Sequence, residues 1–148
     1  MVSYLVAQNQ REITDGCELP DSNEMGYLHL TVNGDVLYKT PAAIGGWQFS
    51  VDGATVISAS GGDTGANGLL SQSMGSTVLA FSLSGGSIPA GCGTLINLSL
   101  SEISLGLLDI VVSDVNGQAI PFEYFNENDS DCPNGTVLIY DDFYFGSC

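Results

Sequence analysis

The residues that most often carry catalysis are few in this sequence and stand far apart. The single histidine, His29, lies between Leu28 and Leu30 in an alternating apolar stretch, where a structural or surface role is expected. A nucleophilic Ser, Thr or Cys needs a base beside it, and no G-x-S-x-G motif is present. Two of the 17 carboxylates could in principle hydrolyse a glycoside, but their spacing singles out no pair. We therefore expect no enzyme and assign no catalytic residue.

Oxygen ligands for a hard cation are concentrated in two loops, "SDVNG" (113–117) and "NENDSD" (126–131). Ca²⁺ prefers oxygen ligands of this kind, but neither stretch matches an EF-hand loop, in which a Gly and a terminal bidentate Glu hold fixed places. Acidic turns are also commonly solvated turns without a metal, so we expect no cofactor, with Ca²⁺ as the alternative. If a calcium site exists, its candidate ligands are Asn126, Asn128, Asp129 and Asp131.

Aromatic side chains surround two aspartates in the C-terminal stretch "VLIYDDFYFGSC". Exposed aromatics beside carboxylates could stack on sugar rings, or they could anchor a neighbouring subunit, since aromatics are enriched in interface cores. A third interpretation is a final strand that closes the fold. Of the two binding interpretations we favour a protein contact, because Cys148 would tether the chain end. The candidate binding residues are Tyr140, Phe143, Tyr144 and Phe145.

The cysteines are better suited to disulfides than to a metal. They contain no CxxC pair and the one histidine is distant in sequence, so zinc is not expected. An even number in a Gly- and Ser-rich chain favours two disulfides and an oxidising final location. Four cysteines allow three pairings, and four free thiols are the remaining alternative. The candidates are Cys17, Cys92, Cys132 and Cys148.

The charge balance excludes several partners. Arg11 and Lys39 are the only Arg and Lys residues, and the net charge is −15. Binding to nucleic acid or to an anionic membrane requires several cations facing the phosphates. No stretch reaches the roughly 18 apolar residues of a membrane span. The first twenty residues lack the basic region of a secretory signal. We expect a chain that reaches the outside after signal removal or as part of a virus particle.

The elements that must position these residues are strands. A chain of 148 residues predicts a single domain, 1–148. In "IGGWQFSVDG" (44–53), Trp47, Phe49 and Val51 alternate with polar residues, which places them on one face of a strand. We interpret Trp47 as core rather than as a binding surface. The stretch "GYLHLTVNGDVLYKT" predicts a hairpin with a type I′ turn at Asn33-Gly34.

Similar alternation recurs along the chain, while "GGDTGANGLLSQSMGS" (61–76) predicts a flexible loop with one short helical turn. Roughly ten strands with turns between them indicate an all-β, two-sheet antiparallel sandwich or jelly roll. The large residues expected to point inward are Trp47, Phe49, Phe81, Ile96, Leu98 and Ile110. Besides the hairpin and the Trp47 strand, the predicted strands are "YLVAQN", "ATVISAS", "TVLAFSLSG", "TLINLSLSE", "LDIVVSD", "AIPFEYF" and "TVLIYDD".

Three stretches within 44–120 carry a resemblance: "IGGWQFSVDGATVISASGGD", "STVLAFSLSGGSIPAGCGTLINLSL" and "DIVVSDVNGQAI". They resemble the cohesin-like sandwich domains, which are similar to carbohydrate-binding modules. Closely similar modules occur in secreted proteins of marine bacteria and in virion proteins of marine phages. The resemblance implies a nine-stranded jelly-roll sandwich used for attachment rather than catalysis. It also implies the pairing Cys92–Cys132 with Cys17–Cys148.

The resemblance divides the chain into a cohesin-like core at 44–120, an irregular N-terminal arm at 1–25 and a C-terminal strand and tail at 122–148. Together these observations predict a non-catalytic structural or adhesion module of an extracellular surface or virus particle, such as a decoration or fibre component. It would act through a protein partner or through self-assembly in a larger particle. The alternative is a carbohydrate-binding module that uses the C-terminal aromatics.

Overall fold

The structure, a computed structural model, describes residues 12–126. The contacts divide the chain into two units, one formed by Thr14–Tyr124 and the other by the two ends, Met1–Ile13 and Phe125–Cys148. Most of the second unit lies outside the described residues. The prediction of a single domain over the whole chain therefore stays a prediction, as do the predicted strands at 4–9 and 136–142.

Nine strands and two short helical segments make up the first unit. The single α-helix of residues 12–126 is one turn and a half long, and no helix there is long and apolar enough to cross a membrane. The strands are β1 (Gly26–Leu30), β2 (Asp35–Thr40), β3 (Gly46–Asp52), β4 (Val56–Ser60), β5 (Leu70–Met74), β6 (Thr77–Phe81), β7 (Gly91–Leu100), β8 (Gly106–Ser113) and β9 (Phe122–Tyr124). The helical segments are a 3-10 turn (Gly16–Glu18) and α1 (Gly62–Ala66).

The strands form two sheets. The five-stranded sheet has the order β4-β7-β2-β1-β9 and the four-stranded sheet the order β5-β6-β3-β8. All pairings are antiparallel except that between β1 and β9, which is parallel. The predicted all-β, two-sheet jelly-roll sandwich of about nine strands is confirmed.

The first hairpin is confirmed, but its predicted turn type is wrong. Strands β1 and β2 pair antiparallel, with Leu30 opposite Val36. A type I′ turn needs a positive φ at both central residues, whereas Gly34 has a φ of 95° and Asn33 is not in the positive region. Gly34 N–H donates to the Thr31 carbonyl oxygen at 3.0 Å, which closes a longer loop. A Cβ at residue 34 would overlap the Leu98 carbonyl oxygen, so glycine is required there.

The core lies between the sheets, and β3 supplies its largest side chains. Trp47, Phe49 and Val51 all point inward and are buried, as the alternation predicted, and Trp47 is only 3% exposed. The rings of Trp47 and Phe49 stack with centroids 4.9 Å apart. Burial of such aromatic side chains contributes on the order of 2–3 kcal/mol each to the free energy of unfolding. The interpretation of Trp47 as core is confirmed.

Phe81 was predicted to point inward, and this is wrong. On β6 the inward residues are Val78 and Ala80, whereas Phe81 lies on the opposite face and is half-buried. The reason is cross-strand packing, because Ala80 stands directly opposite Trp47 and Val78 directly opposite Phe49. A small side chain beside a large aromatic one fills the core at normal density. Ile96 and Leu98 are buried, and Ile110 packs against the core, as predicted.

The predicted loop at 61–76 is only partly correct. Its short helical turn exists as α1, but Leu70–Met74 forms the edge strand β5, which pairs antiparallel with β6. The side chains of β5 are mostly exposed and include two serines and a glutamine. Strand β5 is therefore specified by its backbone pairing to β6 rather than by a buried face of its own.

The structure contains a disulfide between Cys17 and Cys92, with the Cα atoms 5.0 Å apart. The pairing Cys92–Cys132 with Cys17–Cys148, implied by the resemblance, is therefore wrong. The 3-10 turn at Gly16–Glu18 lies so close against β2 and β7 that a Cβ on residue 16 would overlap the carbonyl oxygens of Tyr38 and Gly93. This close approach brings Cys17 to the start of β7. Cys132 and Cys148 lie outside the described residues.

Candidate functional site

Most of the predicted site residues lie outside the described part of the chain. These are the aromatics Tyr140, Phe143, Tyr144 and Phe145 and the calcium candidates Asn128, Asp129 and Asp131. Asn126, the remaining calcium candidate, is described and exposed. Both sites therefore stay predictions.

The acidic turn at 113–117 is held together by its own aspartate. One carboxylate oxygen of Asp114 accepts the backbone N–H groups of Asn116 at 2.8 Å and Gln118 at 2.9 Å. This is the turn-closing geometry for which aspartate is selected in loops. Within residues 12–126, no three His, Cys, Asp or Glu side chains come together as a metal-binding group. The two hydrogen bonds give Asp114 a turn-closing role, and the calcium and solvated-turn interpretations both stay predictions.

His29 has a packing role. It is buried in β1, and its ring stacks on that of Tyr124 with centroids 5.7 Å apart. The Tyr124 hydroxyl accepts the Leu30 backbone N–H at 3.3 Å, which ties β9 to β1. These contacts fit the structural role expected for the histidine.

Helix α1 joins the two sheets through two consecutive side chains. Trp47 Nε1, on the four-stranded sheet, donates to the buried Thr64 hydroxyl at 3.0 Å. The Tyr38 hydroxyl, on the five-stranded sheet, donates to the Asp63 carboxylate at 2.6 Å. Burial, this hydrogen bond and the charge of Asp63, in that order, raise the pKa of Tyr38 above its ordinary value. The Trp47 ring is thereby held in the core.

The other face of the four-stranded sheet, here called the outer face, points away from the core. The strand register aligns its residues in rows across the sheet. Met74 is 80% exposed, Val111 59% and Leu108 49%. One row consists of Gln72, Leu79, Gln48 and Val111, and the next of Met74, Thr77, Ser50 and Leu108. The exposed apolar side chains of these rows thus lie on the edge strands β5 and β8, while the central strands β6 and β3 present Leu79 together with uncharged polar residues.

Charge is nearly absent from these four strands, although the chain carries 17 carboxylates. Their only charged residues are Asp52, at the end of β3, and Asp109, in β8. Asp109 has a φ of 53° and lies opposite the register shift between Gln48 and Ser50, so it forms an exposed β-bulge. The outer face thus exposes several apolar side chains with only two carboxylates in its strands, and exposed apolar patches of this kind are typical of contact surfaces.

Sequence reasoning missed this surface because it assigned the larger alternate residues to the core. In the stretch "TVLAF" (77–81) the inward residues are Val78 and Ala80, while the larger Leu79 and Phe81 point outward. The signal that could have identified the face was the pairing of those inward residues with Trp47 and Phe49 on β3. That pairing depends on strand order, which a local pattern does not contain.

A groove of about 400 Å³ is present elsewhere on the surface. It lies between the β1–β2 loop and the segment 98–104. Its lining includes Glu102 and two exposed apolar residues, Val32 and Ile103. Its lining brings no acid–base pair together, since Glu102 is the only ionisable residue there. The groove therefore offers shape and some apolar surface but no catalytic constellation.

Comparisons with known proteins give little beyond this description. No family model matches the sequence, and no curated protein matches it. Among solved structures, the chain is similar to a non-cellulosomal cohesin from the hyperthermophilic archaeon Archaeoglobus fulgidus, with 15% sequence identity and a TM-score of 0.41. The similarity covers 72% of this chain and 94% of the cohesin. At this distance it carries no statement about function.

Proposed function

We propose that this protein is a non-catalytic interaction module that binds another protein through the outer face of its four-stranded sheet. The observation that carries the proposal is the exposure of Met74, Leu108 and Val111 on a face that is nearly free of charge. Interface cores are depleted in charged residues and contain apolar side chains such as methionine. The four strands of this sheet carry two carboxylates, Asp52 and Asp109, in a chain whose net charge is −15.

The size of the outer face supports the same proposal. Four strands spaced about 4.8 Å apart and roughly five residues long give a surface of about 15 by 17 Å. A standard interface buries about 800 Å² on each partner. The outer face can therefore form the centre of such an interface, while the loops at its ends form the rim.

The core behind the outer face keeps it rigid. Strand β3 inserts Trp47 and Phe49 beneath it, and β6 inserts Val78 and Ala80 from the neighbouring strand. A surface already held in one conformation loses little conformational entropy on binding. The regular sheet is thus suited to a rigid contact, in which the strands keep their positions and only side chains adjust.

Photo-crosslinking tests this proposal. A photo-reactive amino acid is placed at Val111 on the outer face or, as the matched control, at Ile57, an equally exposed apolar residue on β4 of the other sheet. After irradiation in the cells or particles that contain the protein, the variant at 111 should yield a discrete adduct of constant mass. The variant at 57 should yield none. Equal adducts from both positions, or none from position 111, would contradict the proposal.

The proposed setting is an extracellular surface or a virus particle. Support comes from the Cys17–Cys92 disulfide, because such bonds persist in oxidising environments and are rare in the cytosol. The carbohydrate-binding alternative depends on Tyr140, Phe143, Tyr144 and Phe145, and none of the described residues favours it. Binding to a glycan array that is lost on Tyr144→Ala would establish that alternative instead.

A further inference from the structure

The charges around the outer face all have one sign. Asp52 and exposed Asp109 are the charged residues of its four strands. The four strands and the segments 101–105 and 114–119 contain no Lys or Arg. The centre of the outer face, on β6 and β3, is therefore uncharged, its most exposed apolar side chains lie on the edge strands β5 and β8, and its two carboxylates lie at the end of β3 and on β8.

The only cation among residues 12–126, Lys39, is on the other sheet and is already engaged. Its ammonium group forms an ion pair with Asp21 and donates to the Leu19 carbonyl oxygen at 3.0 Å. Lys39, which belongs to β2, thus holds the segment that follows the 3-10 turn against that strand. It is not available to balance the carboxylates beside the outer face.

A second copy of this chain is a poor occupant of the outer face. Two such faces in contact would place carboxylates against carboxylates, and each chain carries a net charge of −15. Like charges brought together at an interface oppose association, so they disfavour a partner of the same charge. The exposed apolar side chains would favour the contact, but the carboxylates beside them and the overall charge of the chain oppose it.

We propose that the partner is a different protein whose contact surface has apolar side chains bordered by Lys and Arg. This inference rests on the proposed function of the outer face and adds the chemistry of its partner. Burial of Leu108 and Met74 would hold the complex, while the basic border would pair with Asp52 and Asp109. Charge complementarity of this kind mainly raises the association rate and makes it dependent on salt.

Synthetic peptides of defined composition test the inference. The first probe is an amphipathic helical peptide of about 20 residues with a Leu stripe bordered by lysines. The second has the same stripe bordered by glutamates, and the third keeps the lysines but replaces the stripe with serines. Each is titrated into the isotopically labelled full chain, and amide NMR signals of β3, β6 and β8 are followed at low and at physiological salt.

The inference predicts that the first probe binds the outer face with a dissociation constant at least tenfold lower than that of either control, as measured from the shifted amide signals. Its binding should weaken as salt is added. Equal binding of the first two probes would be consistent with the proposed function but would contradict the inference that the partner has a basic border. Equal binding of the first and third probes would show attraction by charge alone and overturn the inference. If no probe shifts the outer face at millimolar concentration, both the proposed function and the inference are wrong.

Charge variants separate the margin from the general acidity of the chain. Asp52→Asn with Asp109→Asn removes two carboxylates beside the outer face, and asparagine tolerates the positive φ at position 109. Glu24→Gln with Glu123→Gln removes two exposed carboxylates elsewhere and is the matched control. The first variant should weaken binding of the lysine-bordered probe about threefold to tenfold, and the control less than twofold. Equal effects of the two variants would overturn the inference.

Discussion

Trp47 on the four-stranded sheet donates its indole N–H to the Thr64 hydroxyl at 3.0 Å, and this bond ties the centre of that sheet to helix α1. Asp63, the neighbouring residue of α1, accepts the Tyr38 hydroxyl from the five-stranded sheet. The two sheets are therefore joined by adjacent residues of one helical turn. This connection explains how so short a helix is held in place and why the space around Trp47 is closed.

The Trp47–Thr64 bond should contribute measurably to stability. Thr64→Val keeps the shape but leaves a buried indole N–H without an acceptor, which should lower the free energy of unfolding by about 1–3 kcal/mol. Thr64→Ser keeps the hydroxyl and should cost less. Urea denaturation followed by the fluorescence of Trp47, the only tryptophan, measures both variants. A Val variant as stable as wild type would show that the bond is not important.

The raised pKa of Tyr38 gives stability a specific dependence on pH. In the unfolded chain its phenol titrates near its ordinary value of about 10, whereas in the folded protein it stays protonated to higher pH. The unfolded state then binds fewer protons, so the stabilisation is complete below about pH 10 and is lost as the pH rises above it. Tyr38→Phe should lose less stability than wild type between about pH 9 and pH 11. The free energy of unfolding of both proteins is measured across this pH range, and parallel curves would contradict the raised pKa of Tyr38.

Two glycines of α1 provide a matched test of the backbone. Gly62 has a φ of 63°, and a Cβ there would overlap the backbone of Leu95 and Ile96. Gly62→Ala should therefore lower the free energy of unfolding by about 2 kcal/mol or more. Gly65 has open space where a Cβ would be added, so Gly65→Ala should be neutral or stabilise by up to about 1 kcal/mol. Thermal denaturation of both variants checks the contrast, and equal melting temperatures would contradict it.

The Cys17–Cys92 disulfide closes a separation of 75 residues. In the chain-entropy model such a loop stabilises the folded state by about 4 kcal/mol. In a Cys132→Ser, Cys148→Ser variant the oxidised chain should weigh two hydrogen atoms less than the reduced chain and unfold at higher denaturant. A chain that retains two free thiols after purification under oxidising conditions would contradict the described pairing.

The sequence was sufficient for the parts of the fold with a strong local pattern. Strand β3 was predicted correctly because Trp47, Phe49 and Val51 alternate with polar residues and fill one face. Strand β5 could not be predicted in this way. Its exposed residues resemble a polar loop, and its conformation depends on hydrogen bonding to β6.

The candidate site was less accessible to sequence reasoning. Leu108, Val111 and Met74 belong to strands far apart in the chain, and only the strand order places them on one face. The Cys17–Cys92 pairing depends in the same way on the position of the 3-10 turn against β7. Local patterns specify which face of a strand is buried, whereas the composition of a surface or a cross-link follows from the assembled sheets.

Native mass spectrometry of the protein isolated with its natural partner tests the outer face most directly. Leu108→Arg places a charge among the exposed apolar side chains of the outer face, and Ile57→Arg places the same charge on an exposed apolar position of the other sheet. Because both side chains are exposed, both variants should fold with a wild-type melting temperature. We expect the wild type and the Ile57→Arg variant to carry the partner and the Leu108→Arg variant to lack it. A folded Leu108→Arg variant that retains the partner as fully as wild type would contradict the central claim.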